Sequence, residues 1–320
     1  MIVYLWYINA EWRTLMKEIK TVNIIGLGAL GMLYGKCMMD ALGYDNVKFI
    51  MNNDRIAKYK DTEYTCNGEI CKFHLESEDN ATPADLVVVA IKSPAMESAL
   101  KTMESSVGPD TVIMSVMNGI SSERILAEKF GEEKLIYTVA QGMDATKLGP
   151  ALTFSKAGEL HIGIIDSGKQ DNLDAVAALL KASNLDYVLE DDILFRMWSK
   201  FMLNVGINQT CMVYGTTYSG ALNVPEYFTT FISAMREVVA VANAEGIALS
   251  EKDLNQYVAI IRTLKPDLMP SMAQDRINKN PCEVDSFSGA LMELAKKHEI
   301  YVPTNEFLNR RAKEIEKEYV

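Results

Sequence analysis

The stretch Val22-Asn23-Ile24-Ile25-Gly26-Leu27-Gly28-Ala29-Leu30-Gly31 decides the fold. A short apolar run, of the kind that forms a buried strand, opens into a Gly-x-Gly-x-x-Gly turn, and a helical pattern over Met32 to Leu42 follows. In that order the glycines have separate roles. Gly26 makes the tight turn, Gly28 lets a pyrophosphate approach the backbone, and Gly31 allows close helix packing. The helix N-terminus then offers free N–H groups and the positive end of its dipole to phosphate. Gly26, Leu27, Gly28, Ala29, Leu30 and Gly31 are therefore expected at a dinucleotide. The plain alternative is a structural glycine-rich turn, and the place of this one at the head of a strand–helix series favours binding.

Working outward, Val47 to Met51, Asp85 to Ile91, Thr111 to Met117 and Lys134 to Ala140 read as further short strands. Strands alternating with helices imply a parallel sheet covered on both faces, an α/β, Rossmann-type doubly wound sheet. Residues 152 to 165, with Phe154 and the Leu160-His161-Ile162-Gly163 run, read as an added hairpin before a helix near Asp171 to Ala182. After Asp191 only helical stretches follow, over 192–209, 225–245, 250–263, 270–278, 284–299 and 305–318, so an all-helical C-terminal domain is expected. The resulting division is an N-terminal extension at 1–20, a dinucleotide-binding domain at 21–190 and a helical substrate domain at 191–320. The site is expected in the cleft between the halves.

Ligands meet an open α/β sheet at the carboxyl ends of its strands. The second strand ends in Met51-Asn52-Asn53-Asp54-Arg55, where an acid would favour NAD and a base the 2′-phosphate of NADP. Asn52 takes that place, and Arg55 either clamps a phosphate or pairs with an acid on a helix surface. Lys92 closes the third strand and is expected to touch the cofactor, and Asn118-Gly119 closes the fourth. The alternative for Asn118-Gly119 is a turn that needs positive φ at the glycine.

Lys200, Asn204 and Asn208 stand at i, i+4 and i+8, so a helix aligns one cation and two amides on one face. Trp198, Phe201, Met202, Leu203, Val205 and Ile207 point in most other directions, which suits a helix buried nearly all round with its polar row at a ligand. The segment alone is equally consistent with a solvent-facing polar row. Ser271 opens a helical stretch after Pro270, where it reads as a cap. Glu283 likewise reads as the N3 residue of a capping box, with Asn280 as N-cap and Pro281 at N1.

The 320 residues, 48% hydrophobic and 23% charged, are enough for two domains. A net charge of −11 without a basic cluster beyond Arg310-Arg311 argues against nucleic acid or an anionic membrane as partner. Five cysteines with no CxxC pair suit reduced thiols in a cytoplasmic protein without a metal site. The apolar start from Met1 to Ile8 is too short to span a bilayer and reads as neither signal peptide nor anchor.

With the glycine turn, Lys92, Asn118-Gly119, the Lys200/Asn204/Asn208 stripe, Ser271-Met272-Ala273-Gln274-Asp275 and Glu283-Val284-Asp285 taken in order, the chain resembles the ketopantoate reductase (2-dehydropantoate 2-reductase) family from about Thr21 to the C-terminus. The resemblance implies a Rossmann domain followed by a helical one, with Lys200 as catalytic lysine and Glu283 as active-site glutamate. It also implies Asn118, Asn204, Asn208 and Ser271 as substrate contacts, and Asn118 and Lys92 as cofactor-side residues. The implied chemistry is NADPH-dependent reduction of ketopantoate to D-pantoate in pantothenate biosynthesis, on a small 2-oxo acid partner, with a homodimer left open as the assembly. Relatives often carry an arginine where this chain has Asn52, a threonine where it has Cys282 and an asparagine where it has Ser288. NADH as cofactor, and another branched or aromatic 2-oxo acid as substrate of an NAD-dependent D-2-hydroxyacid dehydrogenase, therefore stand as alternatives. A non-catalytic nicotinamide-dinucleotide sensor has no need of the Lys200 stripe together with Glu283.

Overall fold

In the computed structural model, which describes residues 17–319, the chain divides into two compact units. One runs through Met117 and resumes at Ser122–Ile193, and the other joins Asn118–Ser121 to the chain from Leu194 onward. Of the expected N-terminal extension, residues 1–16 lie outside the described residues. Lys17 to Lys20 are tied down, because Lys17 Nζ donates to the Asp110 carbonyl at 2.7 Å and the Lys20 and Thr21 N–H groups donate to Asp85 Oδ2 at 2.9 Å.

The first unit forms, in chain order, β1 (Val22–Ile25), α1 (Ala29–Leu42), β2 (Val47–Met51), α2 (Asn53–Tyr59), β3 (Tyr64–Cys66), β4 (Glu69–Cys71), β5 (His74–Ser77), β6 (Leu86–Val89), α3 (Met96–Met103) and β7 (Val112–Ser115). After the excursion at 118–121 come α4 (Ser122–Phe130), β8 (Leu135–Gln141), β9 (Thr146–Leu148), β10 (Ala151–Thr153), β11 (Glu159–Gly163), α5 (Gln170–Ala182) and β12 (Asp186–Leu189). The main sheet has eight strands in the order β12-β11-β8-β7-β6-β1-β2-β5. β1 is flanked by parallel β2 and β6 and is fully buried, which is why its sequence is almost continuously apolar. β11 pairs antiparallel with β8 and β12 lies parallel to β11, so these two strands run opposite to the rest of the sheet.

The region expected to be a hairpin at 152–165 is built differently. The hairpin is β9–β10, turning at Gly149-Pro150, and it joins β3 and β4 in a separate four-stranded sheet. The Leu160–Gly163 run returns to the main sheet as β11, because the chain leaves β8 at Gly142 and re-enters at Gly158, both with positive φ. The β3–β4 hairpin was not anticipated, although Asn67-Gly68, with φ of 52° and 86°, is the pair a two-residue turn with both central residues at positive φ requires.

In the second unit the order is α6 (Ile193–Tyr214, entering it at Leu194), α7 (Tyr218–Asn223), α8 (Pro225–Ala244), α9 (Glu251–Thr263), α10 (Ser271–Ile277), a π-helical turn at Asp285–Gly289, α11 (Ala290–Lys297) and α12 (Pro303–Lys317). Its own core centres on Phe201, Met202 and Val205 of α6, Phe231 and Met235 of α8, and Phe287 of the π turn. No helix among the described residues is long and apolar enough to cross a membrane.

The start of α1 depends on two glycines. Gly26 has φ of 115°, and a Cβ on Gly31 would lie 2.1 Å from the Gly26 carbonyl oxygen, so helix and turn touch backbone to backbone. Neither atom can yield by a rotamer change. Gly31→Ala is therefore expected to destabilise the protein by about 1–3 kcal/mol or more, read as a lowered urea midpoint. An unchanged midpoint would show that the turn tolerates a side chain there.

Candidate active site

At the head of α1, Gly28 is an extended N-cap that offers no side chain, and the first backbone bond of the helix runs from Met32 N to Gly28 O at 3.0 Å. The N–H groups of Ala29, Leu30 and Gly31 thus precede the helical ladder, and no acid occupies the first turn. A Cβ on Gly28 would meet nothing nearer than the Ala90 carbonyl at 3.8 Å, so the approach to these N–H groups is open. A cavity begins here, with Gly26, Leu27, Asn52, Arg55, Ser98 and Thr102 among its walls.

Asn52 has a second occupation: its Oδ1 accepts the Arg55 N–H at 3.0 Å and caps α2. Arg55 lies with its guanidinium 5.8 Å from the centre of the Tyr59 ring and lines the cavity, rather than engaging an acid as the surface reading supposed. Lys92 is exposed at the end of β6, outside the cavity lining. Ser98 and Thr102 of α3 were not identified from sequence. Their helix follows Lys92-Ser93-Pro94 at a strand end, which was the available signal.

In the second unit, α10 ends with Lys279 in the left-handed region, φ 53°, and the Asn280 N–H bonding back to the Asp275 carbonyl at 2.9 Å. This is a Schellman-type exit, and Pro281 then prevents continuation. Asn280-Pro281 therefore terminate one helix instead of capping the next, and the capping-box reading of Glu283 fails. The next turn begins at Asp285 as a π helix closed by Gly289 N to Val284 O at 3.1 Å. Glu283 contributes only its carbonyl there, accepting the Ser286 N–H at 3.0 Å, and its carboxylate is free for other work.

That carboxylate meets Asn118. Asn118 Nδ2 donates to Glu283 Oε2 at 3.1 Å, and Lys200 Nζ donates to Asn118 Oδ1 at 2.9 Å. All three residues are half-buried. The amide is oriented by charge at both ends, carbonyl to cation and NH2 to anion. Gly119, with φ of 100°, makes the turn after it, so the turn reading holds beside the site geometry.

Further along the same face of α6, Asn208 Nδ2 donates to Asn204 Oδ1 at 3.1 Å, while Asn208 Oδ1 accepts from Ser271 Oγ at 3.2 Å and Met272 N at 3.4 Å. Ser271 is accordingly the first residue of α10 and not its cap. Asn208, 6% exposed, caps that helix from α6. Next to Glu283, burial pushes the Cys282 thiol up to about 12, and the adjacent Glu316 carboxylate pushes it the same way.

Residues 22–167 match the family model described as ketopantoate reductase PanE/ApbA, and residues 192–316 match its C-terminal counterpart. A 2-dehydropantoate 2-reductase of Aquifex aeolicus is 26% identical over 302 residues, covering 91% of this chain and 96% of the relative. One of Streptococcus pyogenes serotype M6 is 25% identical over 291 residues, covering 88% and 93%. Among solved structures, D-mandelate dehydrogenase with NADH and anilino(oxo)acetate aligns with a TM-score of 0.83 at 21% identity, over 93% of this chain and 99% of that one. The dimeric ketopantoate reductase of Staphylococcus aureus aligns at 0.77 and 21% identity, over 94% and 100%. The fold is thus that of a Rossmann-type oxidoreductase acting on a CH–OH group. The chain belongs to the ketopantoate reductase family.

Because Asn208 satisfies α10 and Asn204 together, Asn208→Leu should cost about 1–3 kcal/mol through the buried Met272 N–H donor and the Asn204 carbonyl acceptor it strands. Chemical denaturation measures this, and parental stability in the variant would remove Asn208 from the capping role.

Proposed function

We propose that the protein reduces 2-dehydropantoate to D-pantoate with NADPH, in pantothenate biosynthesis. The observation that carries this reading is the Lys200–Asn118–Glu283 chain, which holds a proton-donating cation and a fixed anion on one amide. The open first-turn N–H groups of α1, the space before Gly28 and the cavity bearing Asn52 and Arg55 are a donor set that fits a dinucleotide's phosphates and ribose. A bound reduced nicotinamide supplies hydride to the keto carbon.

Lys200 donates a hydrogen bond and then a proton to the substrate oxygen as negative charge develops on it. Glu283 holds the Asn118 amide from its far end, and its charge favours a cation in the same cluster. Asn204 gives its carbonyl to Asn208 and retains its NH2 for the substrate carboxylate. The Ser271 hydroxyl, already donating to Asn208, presents lone pairs to the substrate hydroxyl. Together these groups orient the keto acid, which lowers the barrier by pre-arranging it. Gly26 to Gly31 and Arg55 hold the phosphates, and Lys92 lies on the cofactor side. A homodimer belongs to the same proposal, since the S. aureus relative is named as dimeric; light scattering reads it.

One observation favours a second reading. Asn52, a neutral amide already bonded to its own helix, stands where a base would select the 2′-phosphate, and the D-mandelate dehydrogenase that shares this fold is named with NADH. The alternative is an NAD-dependent D-2-hydroxyacid dehydrogenase for a bulkier 2-oxo acid. Steady-state rates on a panel of 2-oxo acids with both nucleotides separate the two. The expected outcome is the highest kcat/KM for ketopantoate and a modest NADPH preference carried by Arg55. A ratio for NADPH over NADH well below one transfers the assignment to the second reading.

Lys200→Ala should lower kcat by roughly 10²–10⁴-fold, the usual contribution of a positioned general acid, while nucleotide affinity by fluorescence stays near parental. A folded variant with near-normal kcat would take Lys200 out of the mechanism.

A further inference from the structure

Glu283 sits in a stretch without regular structure, between the exit of α10 and the π turn, yet its backbone is pinned on both sides. Downstream, its carbonyl accepts the Ser286 and Phe287 N–H groups at 3.0 and 3.2 Å. Upstream, the neighbouring Cys282 N–H donates to Glu316 Oε1 of α12 at 2.6 Å. Glu316 belongs to a row on one face of α12 with Asn309 and Lys313, at i, i+4 and i+7. The partners step backward through the chain by threes: Asn309 Nδ2 donates to Ser288 Oγ at 3.0 Å, Lys313 Nζ lies 2.6 Å from Asp285 Oδ1, and Glu316 takes Cys282. The helix and the segment 282–288 are joined like the two rails of a ladder.

From these contacts we infer that Glu316 is a positioning residue for the reaction, fixing the peptide ahead of Glu283 so that the Glu283 carboxylate stands at Asn118. This rests on the role proposed above for Glu283. The rungs are unequal. Lys313–Asp285 is a surface pair, 46% and 72% exposed, of a kind that contributes little. Asn309–Ser288 is buried but lies at the far end of the π turn. The Glu316 bond is charge-assisted, joins a side chain to a backbone N–H, and falls one residue from Glu283. Glu316 touches neither Lys200 nor Asn118 in this arrangement, and its influence on them runs through the placement of Glu283.

The test combines Glu316→Ala, Glu316→Gln and Glu283→Gln with the double variant Glu316→Ala/Glu283→Gln in the full chain. It measures kcat and KM for ketopantoate at saturating NADPH, nucleotide affinity, melting temperature and the amide hydrogen–deuterium exchange of segment 282–288, read by peptide mass spectrometry. Glu316→Ala is expected to lower kcat/KM by about tenfold or more, as small misplacements of a reacting group do, with nucleotide affinity unchanged. Glu316→Gln, which keeps an acceptor for the Cys282 N–H, should recover most of that loss. In the double variant the loss should be no greater than for Glu283→Gln alone, the signature of one residue acting through another. Amide exchange in that segment should quicken in Glu316→Ala, where the Cys282 N–H loses its acceptor. Parental kcat/KM in Glu316→Ala, or fully additive losses in the double variant, would overturn the inference. If Glu283→Gln itself keeps full activity, the role proposed for Glu283 falls. Amide exchange then decides whether Glu316 holds the segment at all, an unchanged rate counting against it. Should Glu316→Ala not fold, Glu316→Asp, which keeps the charge but shortens the reach, carries the same expectations.

Discussion

An amide suspended between a cation and an anion is the constraint on which this site depends. A primary amide is a neutral group that accepts from Lys200 through its oxygen and donates to Glu283 through its nitrogen, two separate atoms facing two charges. An aspartate at 118 would repel Glu283, and a hydrophobe would leave both charges without their shared partner. The residues that meet here come from three distant parts of the chain, so each must be delivered by a rigid element. Lys200 rides on a helix of 22 residues, Glu283 on a short stretch braced at either side, and Asn118 on the excursion that follows β7.

The same economy of roles appears on the polar row of α6. Asn208 is both the cap of another helix and the support of Asn204, so the row is graded from a buried structural end to a half-exposed end at Lys200. A side chain already bonded on three counts cannot rearrange cheaply, and it passes that stiffness to its neighbours.

Much of this was legible in the sequence where a local rule had one solution. The glycine turn after β1 could be read because backbone contact at Gly26 and Gly31 excludes other residues, and the α6 row because its period fixes a face. The misreadings fall where a local rule has two solutions. Proline suits both the first turn of a helix and the position just past its end, so Asn280-Pro281 looked like a beginning when it was an end. Serine suits an N-cap, but a tertiary partner, Asn208, had already filled that role for α10. The strand Leu160–Gly163 was seen, yet its partner was not, since alternation reveals a face and not which strand lies alongside. Asn52 remains doubly used, reading as a ligand contact by position and as a cap by chemistry.

The π turn at Asp285–Gly289 has a hereditary side. Its bonds from Gly289 N to Val284 O and from Ala290 N to Asp285 O span one residue more than in an α-helix, so it amounts to a single inserted residue. Losing or regaining one codon there would rotate everything on its N-terminal side by about 100° about the helix axis, swinging Glu283 away from Asn118 in one step. The segment is therefore tuned in whole residues, and lineages of this fold can be compared by whether they carry the extra one.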